Sequence, residues 1–133
     1  MLRLALKELG RAGLFRVVLV HHPPLPGKAS WRRGLRDAQS ALSVLKEAGT
    51  ELVLHGHNHE QTVFEFDTVT GPAVVVGVPS ASEAVSGRIP AARYNEYRVA
   101  KTGHGWHCEM IGRAVADSEL HVWECEHRIL RES

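Results

Sequence analysis

Apolar positions along this chain change their period at residue 62. Before it, Leu2, Leu6 and Leu9 share one helical stripe and predict a short helix over Leu2–Gly13, closed by Gly10 and Gly13. Leu14–His21 then reads as a buried strand, apolar on both faces apart from Arg16, and the Pro- and Gly-rich segment His22–Ser30 reads as loop. Leu35, Ala38, Leu42 and Leu45 return to helical spacing within Trp31–Ala48, and Gly49 follows at the position where helices commonly stop. Glu51–His55 is a second buried strand, broken by Gly56. Strand, crossover helix and strand make a βαβ unit with a parallel pair. From residue 62 onward short strands follow one another without a helix: Thr62–Phe66, Ala73–Val78, Tyr94–Ala100, Trp106–Ile111 and Leu120–His127. Turn residues separate them, and together they predict an antiparallel sheet. The pattern describes one α/β domain over residues 1–133, a βαβ unit followed by an antiparallel sheet.

Composition narrows the setting. A chain of 133 residues with 44% hydrophobic and 23% charged content can bury a core, and disorder is not expected. Lys and Arg total 16 against 15 Asp and Glu, so no global charge draws the chain to nucleic acid, and no nucleic-acid partner is expected. The longest apolar runs, Leu14–Val20 and Ala73–Val78, fall far short of the roughly 20 residues that span a bilayer. Arg3, Lys7 and Glu8 interrupt the first leucines, unlike the apolar core of a signal peptide, so no membrane association and a cytoplasmic location are expected. Cys108 and Cys125 are isolated from one another and are expected as two buried thiols.

Candidate chemistry lies in two histidine blocks, each placed where an apolar run ends. Val18-Leu19-Val20-His21-His22-Pro23-Pro24 closes the first strand and Leu52-Val53-Leu54-His55-Gly56-His57-Asn58-His59 closes the second. The carboxyl ends of parallel strands are where α/β proteins hold ligands, and imidazole is the commonest transition-metal ligand. His57 and His59, two residues apart, point to one side in an extended chain. Gly56 is expected to let the backbone turn there and to keep bulk away from an ion. By the same alternation, if His21 points in, His22 points away. His55 reads as a strand-end histidine, and His104, His107, His121 and His127 show no ligand spacing. Arg32, Arg33 and Arg36 suit the solvated face of a helix, with a phosphate contact as the functional alternative. Asp37 reads as a local cap or pairing residue, and Trp31 and Trp106 as core or edge packing residues, with stacking in a nucleobase pocket as the functional alternative.

The HHPP block, the Leu-Arg-Asp-Ala helix at 35–38, the LVLHGHNH block, Pro79–Ala81 and Tyr94-Asn95 together resemble the C-terminal half of a calcineurin-like metallophosphoesterase, of the bacterial cyclic-nucleotide phosphodiesterase type. The resemblance covers most of residues 14–113. It implies half of a two-sheet αββα sandwich, with His21 and His57 on one metal and His59 on a second, the metals being manganese, iron or zinc. It also implies hydrolysis of a phosphomonoester or phosphodiester, with nucleotides among the candidate substrates, by metal-activated water. The family's Asp-x-His, Gly-Asp-x-x-Asp and Asn-His-Asp/Glu motifs precede its HHPP block, and none of them stands before His21 here. Without the bridging carboxylate, which offsets the repulsion of two dications, weak and mononuclear metal binding with little turnover is expected of the isolated chain. The alternative is a non-catalytic remnant, or a split half completed by a partner chain or by self-association. A substitute carboxylate such as Glu60 or Asp67 stays open, and a histidine-triad hydrolase is disfavoured by Gly56, Asn58, Glu60 and Gln61.

Overall fold

A computed structural model of the chain describes residues 1–24, 37–82, 92–115 and 121–132. They form two compact units, Met1–Gly77 and Val78–Ser133, and each is an entity described by itself.

The first unit runs α1 (Leu2–Arg11), β1 (Val17–Val20), α2 (Ala38–Ala48), β2 (Leu52–His55), β3 (Thr62–Thr68) and β4 (Gly71–Gly77). Its four strands make one mixed sheet in the order β1-β2-β4-β3. The expected βαβ unit is present: β1 and β2 pair in parallel, Val17 beside Leu52 and Val20 beside His55. The expected antiparallel sheet is only partly so. β4 lies parallel to β2, and β3 pairs antiparallel with β4 at the far edge, so both extend the βαβ sheet. The physical reason is legible in the residues. Ala73–Val76 is apolar without alternation and buried throughout, as a central parallel strand requires. β3 alternates Phe64 and Phe66 with exposed Glu65 and Asp67, as suits an edge.

Helices α1 and α2 supply Leu6, Leu45 and Ala48 to a core shared with Val18, Val53 and Val75, against which Val20, Phe64 and Phe66 pack. Burying Leu45 fully contributes about 1.5–3 kcal/mol. α2 starts at Ala38 with Asp37 in the cap position, although the Asp37 side chain makes no cap bond. The proposed start of this helix at Trp31, with Arg32, Arg33 and Arg36, lies outside the described residues. β1 departs from the reading of a strand buried on both faces. Val17 and Leu19 are 46% and 75% exposed: among the described residues β1 is an edge, paired on one side only. It is also shorter than expected, since the Leu14 amide turns back to the Leu9 carbonyl.

In the second unit β5 (Arg93–Lys101), β6 (Trp106–Val115) and β7 (Val122–Arg131) form an antiparallel sheet in sequence order. Arg93 lies across the central strand to reach Glu126 on β7, Nη2 to Oε2 2.6 Å. It can do so because Gly112 has no side chain: a Cβ there would stand 2.3 Å from Arg93 Nη2. Met110 and Cys108 are buried on β6, and Cys125 is half-buried; both cysteines are free thiols. Burial pushes the Cys108 pKa up, which keeps the thiol protonated and inert. The Trp106 ring lies under Lys101 Nζ at 5.8 Å, beside the β5–β6 turn. Among the described residues no helix is long and apolar enough to cross a membrane.

Candidate metal centre

Both histidine blocks stand at the carboxyl end of the β1–β2 pair. His21 follows the last residue of β1, and His57 comes two residues after the end of β2. The in-register pairing of Val20 with His55 brings the two exits side by side. His57 Nδ1 lies 3.2 Å from His21 Nε2, across 36 residues of sequence. His22 completes the group: its ring centroid is 4.3 Å from that of His57 and 4.8 Å from that of His21. One ligand atom from each of the three rings falls within 4.8 Å of the others. His21 is exposed and the other two are half-buried. Among the described residues, no Asp, Glu or Cys belongs to this cluster.

The local backbone explains who faces inward. β1 ends at Val20, so the alternation expected to turn His22 away no longer applies to it. Pro23 restricts His22 to an extended conformation, and Pro23 and Pro24 are buried, which fixes the exit of the chain. On the other strand the turn falls at His57 and not at Gly56. His57 has φ 70° and the Asn58 amide donates to the Gly56 carbonyl at 2.9 Å, the hydrogen bond and sign of φ of a tight, strained γ-turn. Gly56 has no positive φ, and a Cβ there would meet open space. The expectation that Gly56 supplies the turn is therefore corrected: the histidine itself takes the left-handed conformation. Such residues cost about 1–3 kcal/mol and cluster at functional sites.

His59 also has a left-handed backbone, φ 55°, and is exposed; it is not one of the three clustered rings. His55 is buried, with Nδ1 3.0 Å from the Gly56 carbonyl. A carbonyl only accepts, so Nδ1 carries the proton and Nε2 the lone pair. That Nε2 lies beside Gly77, where a Cβ would come within 2.9 Å of it and 2.5 Å of Thr62 Oγ1. Thr62 Oγ1 is buried and has no hydrogen-bond partner among the described residues. Gly77 is thus the space into which His55 packs behind the cluster.

Sequence reasoning missed a second polar assembly, at the opposite end of the same strands. Arg16 and Glu51, the residues just before β1 and β2, are 4% and 6% exposed. Arg16 Nη2 donates to Glu51 Oε1 at 2.6 Å and Nε to Oε2 at 2.9 Å, while the Arg16 amide donates to the same Oε2 at 2.7 Å. Arg16 Nη1 reaches the Ala48 carbonyl and Nη2 reaches Thr70 Oγ1. Arg16 as the lone charge in an apolar strand, with Glu51 at the start of the next, was the available signal.

An imidazole set is chemically suited to zinc, iron or manganese. Around a tetrahedral ion with metal–nitrogen bonds of about 2.0–2.1 Å, ligand nitrogens stand about 3.4 Å apart. His57 Nδ1 and His21 Nε2 are a hydrogen-bonded pair, and with His22 beside them the three imidazoles are a group that could hold a metal ion in place of that bond. No protein-family model matches the chain, and no curated protein matches it significantly.

Proposed function

We propose that this chain is a metallophosphoesterase-type hydrolase domain, the C-terminal half of the family's two-sheet sandwich, with its metal centre at the carboxyl ends of β1 and β2. The observation that supports this reading is the approach of His57 Nδ1 to His21 Nε2 at 3.2 Å, from two parallel strands linked by a helix. His21 and His57 hold one ion of manganese, iron or zinc, and His59 is the family-derived ligand of a second. A divalent ion bound there would supply Lewis acidity toward a phosphoryl oxygen and toward water. The protein's own part is to orient the rings: β1 and β2 set the distance, Pro23-Pro24 holds His21 and His22, and the turn at His57 swings its ring toward β1. The substrate class is a phosphomonoester or phosphodiester, with nucleotides included.

The test is hydrolysis of a generic phosphodiester by the full chain with added manganese. Metal-dependent turnover that disappears in His57→Ala is the expected outcome for a working centre. No turnover with any of the three metals would reject catalysis by this chain.

A second reading is favoured by one observation, the edge position of β1 with Val17 and Leu19 exposed. An unpaired edge strand carrying apolar residues is a template for another strand. On this reading the missing carboxylate, Asn and His ligands come from a partner chain, or the chain self-associates. Turnover appearing only on addition of such a partner would distinguish it.

A further inference from the structure

His22 is the residue that strand alternation turns away, yet its ring lies nearer to that of His57 than the His21 ring does, 4.3 Å against 5.0 Å. His57 Nδ1 and His21 Nε2 are hydrogen-bonded at 3.2 Å, a bond that an ion would replace with little movement of either nitrogen. The remaining separations are at most 4.8 Å and close by about 1.4 Å through ring rotation. The three residues also have what a ligand set needs besides proximity. Buried Pro23 and Pro24 hold the His21-His22 backbone, and the γ-turn holds His57.

We infer that His21, His22 and His57 form a single-metal, three-imidazole centre, in which His22 stands in place of a carboxylate, and that this centre takes a phosphate-type oxyanion as its exogenous ligand. This rests on the reading of the cluster as a metal centre given above. The charge argument sets the sign of the ligand, and the phosphoesterase reading supplies its class. Imidazoles bind metal as neutral groups, and no Asp, Glu or Cys of the described residues joins the cluster. A dication held there keeps its full charge, where a carboxylate ligand would have cancelled part of it. The cluster is open to solvent on the His21 side, so an anion can complete the coordination.

The experiment is cobalt(II) binding to the full chain, read by equilibrium dialysis and by the visible absorption of the bound ion, followed by titration with inorganic phosphate. One cobalt per chain is expected, with a spectrum that changes on phosphate addition. His22→Ala and His22→Gln are expected to weaken cobalt binding at least about tenfold, and His104→Ala, at an exposed histidine outside the cluster, to leave it within about twofold. Circular dichroism establishes that each variant is folded, and the glutamine variant keeps the size of the side chain without its ring nitrogens. Native affinity in both folded His22 variants overturns the role of His22 and leaves the phosphoesterase proposal standing. Two cobalt ions per chain overturn the single-metal centre, and a spectrum indifferent to phosphate overturns the oxyanion. No cobalt on the folded native chain overturns the inference together with the metal reading beneath it. Hydrolysis enters none of these readouts. A chain that binds one cobalt through His22 and turns over no ester therefore keeps this inference and removes the hydrolase proposal.

Discussion

At the amino end of the β1–β2 pair, Arg16 and Glu51 are buried, joined by two side-chain hydrogen bonds, and tied by further bonds to Ala48 and Thr70. At the carboxyl end, His21, His22 and His57 crowd together with one ring exposed and no carboxylate of the described residues among them. The same two strands position both groups, from the residues that flank them. One end has its charges matched and its donors engaged, and the other gathers imidazole rings beside a strained turn. The difference teaches that the first assembly serves folding, whereas the second is held in place by structure built elsewhere. Satisfied polar networks rigidify, and strain persists only where its surroundings over-determine it.

The comparison can be broken most directly at Glu51. Glu51→Ala leaves the Arg16 guanidinium buried without its carboxylate, and a loss of about 3–5 kcal/mol is expected in urea unfolding. A loss under 1 kcal/mol would mean that the pair is not what anchors the amino end. The glycines give the next contrast. Gly49 has φ 79°, and a Cβ there would stand 2.3 Å from Thr70 Oγ1 and 2.8 Å from Arg16 Nη1. Gly49→Ala is expected to cost about 2–3 kcal/mol, read as a fall in the thermal midpoint. Gly56→Ala, at the other end, is expected to be neutral or to stabilise by about 0.4–1 kcal/mol, because its φ is permissive and the space is open.

His57→Gly sharpens the same point from the functional side. Removing the left-handed penalty is expected to raise stability by about 1 kcal/mol while metal affinity is lost. A variant that is less stable than the native chain would show that the ring contributes packing beyond its role in the cluster.

The smallest effect concerns surface pairs in the second unit. The hydrogen bond from His127 holds the Glu109 carboxyl below its ordinary value of 4.5, and Arg98 does the same for Glu96. A depressed folded pKa contributes stability that is complete above the unfolded value and is lost as pH falls through the folded one. The thermal midpoint should therefore show a small extra decline below pH 4.5 that Glu109→Gln reduces, leaving the share due to Glu96. Both carboxylates are half-buried at the surface and their partners are exposed, so the contribution is far smaller than that of Arg16–Glu51. An acid response unchanged in the variant would assign it to other carboxylates.

Much of this architecture could be read from residue patterns. α1, the βαβ unit and the β5–β7 meander follow from periodicity, and the approach of His21 to His57 follows from two strands ending side by side. The partners of β4 did not, because a short apolar run states that it is buried and not beside what. His22 was misjudged because alternation was carried one residue beyond the strand. The turn at His57 was assigned to Gly56 on residue type alone, although histidine is among the side chains that tolerate left-handed backbone. Arg16 and Glu51 are each visible as exceptions, but their pairing exists only once β1 and β2 are in register.

Gly112 bears on how the second unit selects its strand alignment. Sliding β6 by two residues against β5 preserves which side chains face which side, so the hydrophobic pattern alone tolerates it. The guanidinium of Arg93 does not. Such a slip would put Met110 or Ala114 beneath it, where even a Cβ is too close. The missing side chain thus acts as a keyhole for one alignment among several of equal polarity, and the Arg93–Glu126 bond is the bolt that passes through it.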